Sequence, residues 1–107
     1  LISTCELTHY GPDHNYVPFT RDKKQRLHTL DTEALAYVEV LDSIGLLRHI
    51  TKNKLTFCCL GPLLTLMETA KHLHVKKARI LTYYTSGDLT EDYTNSVGYA
   101  SIVFELP

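Results

Sequence analysis

Two runs in the last third of the chain, "ARILTYYTS" at 78–86 and "SVGYASIVFEL" at 96–106, are dense in β-branched and aromatic residues. Such side chains pack well on a pleated surface and lose rotamer freedom in a helix, so both runs read as strands. The residues before them read as helices. Within "TEALAYVEVLD", Leu35, Val38 and Leu41 keep helical spacing beside Ala34 and Tyr37, and Asp31 stands where an N-cap is expected. "SIGLLRHITK" predicts a second short helix with Ile44, Leu47 and Ile50 inward, weakened at Gly45 by about 1 kcal/mol relative to alanine. "PLLTLMETAKHLH" predicts a third, begun at Pro62 with Leu63, Leu66, Met67, Ala70 and Leu73 on one face. Ahead of these, Leu1–Thr4 suits the tail of a buried strand, Cys5–Leu30 reads as a long irregular segment, and "GDLTEDYTN" reads as a polar loop between the last two strands. The order is strand, loop, two helices, short apolar run, helix, strand, strand. That is an α/β chain with helices covering a sheet.

The chain has 107 residues, enough for one core and not for two. A formal net charge of -1 with scattered lysines and arginines supplies no field to gather nucleic acid or anionic lipid. The run Arg21, Lys23, Lys24, Arg26 reads as a solvated loop. No apolar stretch approaches the roughly 18–20 residues that span a bilayer. Three cysteines, two of them adjacent at Cys58 and Cys59, do not resemble a disulfide framework, so a reducing, cytoplasmic setting is expected. The chain begins at Leu1 on residues that suit a strand interior, as a piece of a longer protein would. Residues 1–107 are therefore expected to be a single partial domain.

Chemistry concentrates at two places. "STCELTHYG" sets Glu6 and His9 three residues apart just past the predicted first strand, where open α/β sheets bind ligands. An imidazole there can exchange protons near neutral pH, with Glu6 to orient or charge it; a lone histidine is more often an ordinary hydrogen-bonded loop residue. Cys58 precedes the Gly61-Pro62 helix start, where the dipole favours an anion, and thiolate with imidazole suits copper, zinc or iron. A buried, inert thiol is the common fate of a free cysteine, and Cys59 fits that description or that of a vicinal partner under oxidation. "HLH" at 72–74 cannot chelate from one helix, because residues two apart diverge. His14, His28 and His49 show no partner in the sequence. Asp88, Glu91 and Asp92 form an acidic loop without the spacing of a calcium site, and Ser86-Gly87-Asp88 reads as a turn.

Three segments together resemble one family, the Memo-like proteins, also called the AmmeMemoRadiSam system protein B family. "STCELTHYG" with "PF" at 18–19 resembles its strand-end histidine motif. "LTFCCLGPLLTLMETA" at 55–70 resembles its Thr-Ile-Cys-Gly-x-x-Pro motif, and residues 78–106 resemble its C-terminal strand, Thr-Ser-Gly-Asp loop and Val-Gly-Tyr-Ala strand. The resemblance implies the C-terminal portion of an αβ sandwich like the class III extradiol dioxygenases, with helices packed on a mixed sheet. It implies Cys58 as a metal ligand, for copper or iron, and His9 as the acid–base group, with Glu6 standing where the family usually has aspartate. Cys59 stands in place of the usual glycine and Leu60 in place of a residue that is often polar. The family's remaining metal-binding histidines belong to an N-terminal portion not among these residues.

The implied function is a metal-dependent protein, with oxidation–reduction as the reaction class. The alternative is a non-catalytic module binding a phosphopeptide or protein in signalling and cell motility, since animal Memo-like proteins are associated with receptor tyrosine kinase signalling. An active ring-cleaving dioxygenase is disfavoured, because it needs a two-histidine, one-carboxylate iron site and Cys58 occupies a ligand position.

Overall fold

A computed structural model describes residues 3–107. Along the chain lie β1 (His9–Tyr10), a 3₁₀ turn (Pro12–His14), α1 (Lys23–Glu39), α2 (Ser43–Asn53), α3 (Leu60–His72), β2 (Ala78–Thr85), α4 (Ser86–Thr90) and β3 (Ser96–Phe104). The three strands form one sheet in the order β1-β3-β2, with both pairings antiparallel. The α/β class holds, and every strand pair among the described residues is antiparallel. β2 and β3 pair from Ala78↔Phe104 to Thr85↔Gly98, interrupted by an irregularity at Leu81.

The strand expected over Leu1–Thr4 falls partly outside the described residues, and Ser3 and Thr4 lie in no strand. Pairing begins later. Leu7 N–H donates to Gly98 O at 2.8 Å, Gly98 N–H donates to Thr8 O at 3.1 Å, and β1 follows with His9↔Val97. His9 therefore sits within an edge strand instead of beyond a strand's end.

The first helix starts nine residues earlier than expected, at Lys23 instead of Thr32. Leu27, Asp31, Ala34, Leu35 and Val38 are all buried along α1 and form one continuous helical face. Asp31 interrupts the apolar stripe in sequence and so imitated a cap, whereas it is a fully buried carboxylate in the middle of the helix. The segment 23–30 accordingly is helix and not loop. In α2 the inward face is Ser43, Leu46 and Ile50, while Ile44 and Leu47 point outward. Asp42 caps this helix, its Oδ1 accepting from Gly45 N at 2.9 Å. In α3 Leu63, Met67 and Ala70 are buried, while Leu73 is exposed. The loop between β2 and β3 contains α4, whose start is a capping box: Thr85 Oγ1 accepts from Asp88 N at 3.1 Å and Asp88 Oδ2 accepts from Thr85 N at 2.8 Å.

The main core lies between α1, α2 and α3 and is built from Ala34, Val38, Leu46, Ile50, Leu55, Leu63 and Met67. A second cluster of Tyr10, Phe19 and Leu27 ties β1 to α1, with the Tyr10 and Phe19 rings stacked at 5.0 Å. Tyr10 Oη also donates to the Phe19 carbonyl. The segment after His9 is thereby held down over its own helix. Gly98 marks where α1 meets the sheet: a Cβ there would stand 2.1 Å from Asp31 Oδ2. No helix among the described residues is long and apolar enough to cross a membrane.

Candidate metal centre

Glu6 and His9 come from the segment entering β1, and Cys58 comes from the turn entering α3, 49 residues further on than His9. Thr56 joins the two pieces. The His9 amide donates to Thr56 Oγ1 at 2.8 Å, and that hydroxyl donates to the His9 carbonyl at 2.7 Å. The pair closes like two rungs of a ladder and fixes the Cys58 turn against the His9 strand. Thr56 carried no signal in the sequence beyond lying near Cys58.

The His9 ring is anchored from the same side. Nδ1 lies 2.8 Å from Thr56 O and 3.0 Å from Leu7 O. Carbonyl oxygens only accept, so Nδ1 carries a proton, and Nε2 is the nitrogen that bears the lone pair of the neutral ring. Nε2 lies 3.7 Å from Glu6 Oε1, and Cys58 Sγ lies 3.9 Å from the same oxygen. One ligand atom each from Glu6, His9 and Cys58 falls within 4.8 Å of the others. The residues singled out at the two places in the sequence thus lie together. Cys58 is exposed, the Glu6 side chain is half-exposed, and only the His9 ring is largely covered.

Two further groups face this cluster. His14, in the 3₁₀ turn, meets the His9 ring edge-on with centroids 5.1 Å apart. Burial and then the Glu6 carboxylate push the Tyr99 phenol above its ordinary value. Neither was legible in the sequence, because each lies far along the chain or on a turn from its partner.

The cysteines pair across the chain. Cys5 and Cys59 form a disulfide, Cα–Cα 5.0 Å, closing 54 residues of sequence separation. The sequence did not resemble a disulfide framework and offered Cys59 only Cys58 as an oxidation partner, whereas here Cys59 pairs with Cys5. The segment that delivers Glu6 also delivers Cys5, and it runs directly beneath the α3 start. Cys58 keeps a free thiol.

His28 and His49 have partners as well. His28 Nε2 lies 2.8 Å from Asp88 Oδ2 and the ring meets Tyr83 edge-on. His49 packs at 5.5 Å on the Tyr37 ring. Behind β1, Asp31 accepts from the Thr8 amide at 3.1 Å and from Tyr83 Oη at 2.6 Å. Burial pushes the Asp31 carboxyl up, against the lowering effect of those bonds and of His28. Burial of the Tyr83 phenol, and then the same carboxylate, push it far up.

Fold and site together define an α/β protein carrying a thiol, an imidazole and a carboxylate at the edge of a small antiparallel sheet. The model of the Memo-like protein family matches residues 1–103, and the chain belongs to that family. A MEMO1 family protein of Desulfurococcus amylolyticus is 34% identical over 106 residues, covering 99% of this chain and 33% of its own length. One from Sulfolobus acidocaldarius is 34% identical over 106 residues (97% and 32%), and one from Methanococcus vannielii is 28% identical over 105 (98% and 33%). The chain spans about a third of the length of these relatives.

Proposed function

We propose that this chain contributes a copper- or iron-binding pocket, with Cys58 as thiolate ligand and Glu6 and His9 in the same donor set, that serves an oxidation–reduction. The carrying observation is the convergence of one sulfur, one nitrogen and one oxygen within 4.8 Å, with the nitrogen already prepared. Donor separations of 3.7 and 3.9 Å suit atoms about 2.0–2.3 Å from a single ion. Metal-bound histidines characteristically give their other N–H to a carbonyl or carboxylate, which fixes the tautomer and the ring. His9 does so twice over, to Thr56 and Leu7.

A thiolate, an imidazole and a carboxylate form a mixed set, softer than the all-oxygen shell of magnesium or calcium. A bound copper or iron ion would supply one-electron chemistry. The chain's own part is to hold the donors and to free them: before an ion binds, Glu6, half in solvent, faces His9 Nε2 and can carry a proton from that nitrogen to water, leaving it able to ligate. Coordination positions beyond these three are assigned in this reading to groups outside the 107 residues, which span about a third of the relatives' length.

The test is metal content by mass spectrometry on anaerobically purified full-length protein, beside Cys58→Ser and His9→Gln. Near-stoichiometric copper or iron that falls in both variants is expected. Equal, negligible metal in all three sinks the reading.

A further inference from the structure

All three cysteine sulfurs of the chain lie near a single oxygen. Cys5 Sγ lies 3.6 Å from the Glu6 carbonyl oxygen, Cys58 Sγ 3.8 Å and Cys59 Sγ 3.8 Å. Cys5 and Cys59 are joined, while the free thiol of Cys58 belongs to the neighbouring residue on the same turn. A Cα separation of 5.0 Å lies within the ordinary range for a disulfide, so this bond needs no backbone movement to form. The exposed free cysteine thus shares one carbonyl neighbour with both sulfurs of the disulfide.

We propose that Cys5, Cys58 and Cys59 form an internal thiol–disulfide exchange centre, in which Cys5 alternates between Cys59 and Cys58. The Cys58 thiolate attacks Cys5 Sγ. The Cys58–Cys5 sulfur–sulfur bond forms as the Cys5–Cys59 bond breaks, and Cys59 leaves with the electron pair as a thiolate. One thiolate is consumed and one released, the number of disulfides is unchanged, and no outside oxidant or reductant takes part. Burial disfavours the Cys59 thiolate, so it takes the proton that Cys58 gave up and then packs as a small apolar thiol.

The exchange bears on the pocket. With Cys5 joined to Cys59, Cys58 faces Glu6 and His9 as a free thiol; with Cys5 joined to Cys58, the pocket loses its sulfur donor. That consequence rests on the metal-binding reading, whereas the exchange itself does not.

The experiment separates them. Metal-free full-length protein is equilibrated in glutathione buffers from reducing to oxidising, trapped with N-ethylmaleimide and digested with trypsin. Fragmentation of the peptide carrying Cys58 and Cys59 then shows which of the two holds the label. The expected result is two oxidised forms, Cys5–Cys59 labelled at Cys58 and Cys5–Cys58 labelled at Cys59. Cys59→Ser should accumulate Cys5–Cys58, and Cys58→Ser should be locked as Cys5–Cys59. Label on Cys58 alone in the oxidised wild type, with no Cys5–Cys58 in Cys59→Ser, overturns exchange in favour of a static bond. Full labelling of all three cysteines in every buffer overturns it too. Adding copper or iron to each trapped form reads the second point: loss of binding in proportion to the Cys5–Cys58 fraction links exchange to the pocket. Two exchanging forms that take up no metal at all leave the exchange standing and remove the metal reading.

Discussion

Thr56 holds His9 by three contacts: its hydroxyl bridges the His9 amide and carbonyl at 2.8 and 2.7 Å, and its own carbonyl takes Nδ1–H at 2.8 Å. Thr56→Val keeps the side-chain shape and removes the hydroxyl, leaving a half-buried amide and carbonyl unpaired. The expected cost is about 1–3 kcal/mol of stability. Metal affinity should fall about 10–100-fold, as happens when a group supporting a ligating histidine is lost. Calorimetry and metal titration of the same variant check the two effects. Unchanged affinity with lowered stability would mean that Thr56 supports the turn and not the ring.

Asp31 supports the same strand from behind. Asp31→Ala removes the acceptor of the Thr8 amide and of Tyr83 Oη, both deep in the protein. It should cost about 2–4 kcal/mol, from two orphaned donors at roughly 1–3 kcal/mol each with partial relaxation. Tyr83→Phe removes one of the two bonds and should cost less. Urea denaturation of the pair decides the order, and equal costs would show that the Tyr83 bond carries the whole effect.

Acid titration should reveal a second carboxylate with the opposite behaviour. Burial raises Asp88, but hydrogen bonds from Tyr93, the Thr85 amide and His28 outweigh it and hold the carboxyl down at about 2, below the ordinary 3.8. The folded state therefore binds this proton less tightly than the unfolded chain does. Its contribution, about 2 kcal/mol, is present above pH 3.8 and lost as pH falls toward 2. Asp31, raised by burial, has the reverse sign: its ionisation weakens the fold as pH rises from 3.8 through its raised value. Asp88→Asn should flatten the acid limb of a stability–pH curve, and Asp31→Asn should remove a loss on the higher side. An acid limb as steep in Asp88→Asn as in the wild type would falsify the assignment.

The contrast between these two aspartates also explains what was legible in the sequence. β2, β3 and the three longer helices were readable because propensity and periodicity act locally, over runs such as "ARILTYYT" and "SIGLLRHITKN". Asp31 was misread because a polar residue on an apolar face looks like a boundary until the Thr8 amide and Tyr83 hydroxyl that satisfy it are known. The inward face of α2 was misplaced for a related reason: Ile44, Leu46, Leu47 and Ile50 offer more than one apolar stripe, and the neighbours decide which is covered. Glu6, His9 and Cys58 were each visible as candidates, but their meeting depends on Thr56. That contact joins residues 47 apart, and no local rule reports it. The Cys5–Cys59 bond was hidden likewise by distance along the chain.

Gly98 offers the sharpest test of how α1 is seated on the sheet. Its amide and carbonyl pair with Thr8 and Leu7, and a Cβ would stand 2.1 Å from Asp31 Oδ2 and 3.3 Å from Leu7 Cβ. Gly98→Ala must therefore push the buried carboxylate off its two donors, at a cost of about 2–4 kcal/mol. Part of that cost should vanish when the carboxylate is already gone. In the double variant with Asp31→Ala, the measured loss should fall short of the sum of the single losses by about 1–2 kcal/mol, within the range for residues in contact. Strict additivity in calorimetry or urea denaturation would show that residue 98 is constrained by Leu7 instead of by Asp31. The segment carrying Glu6 and His9 would then be positioned by the sheet alone.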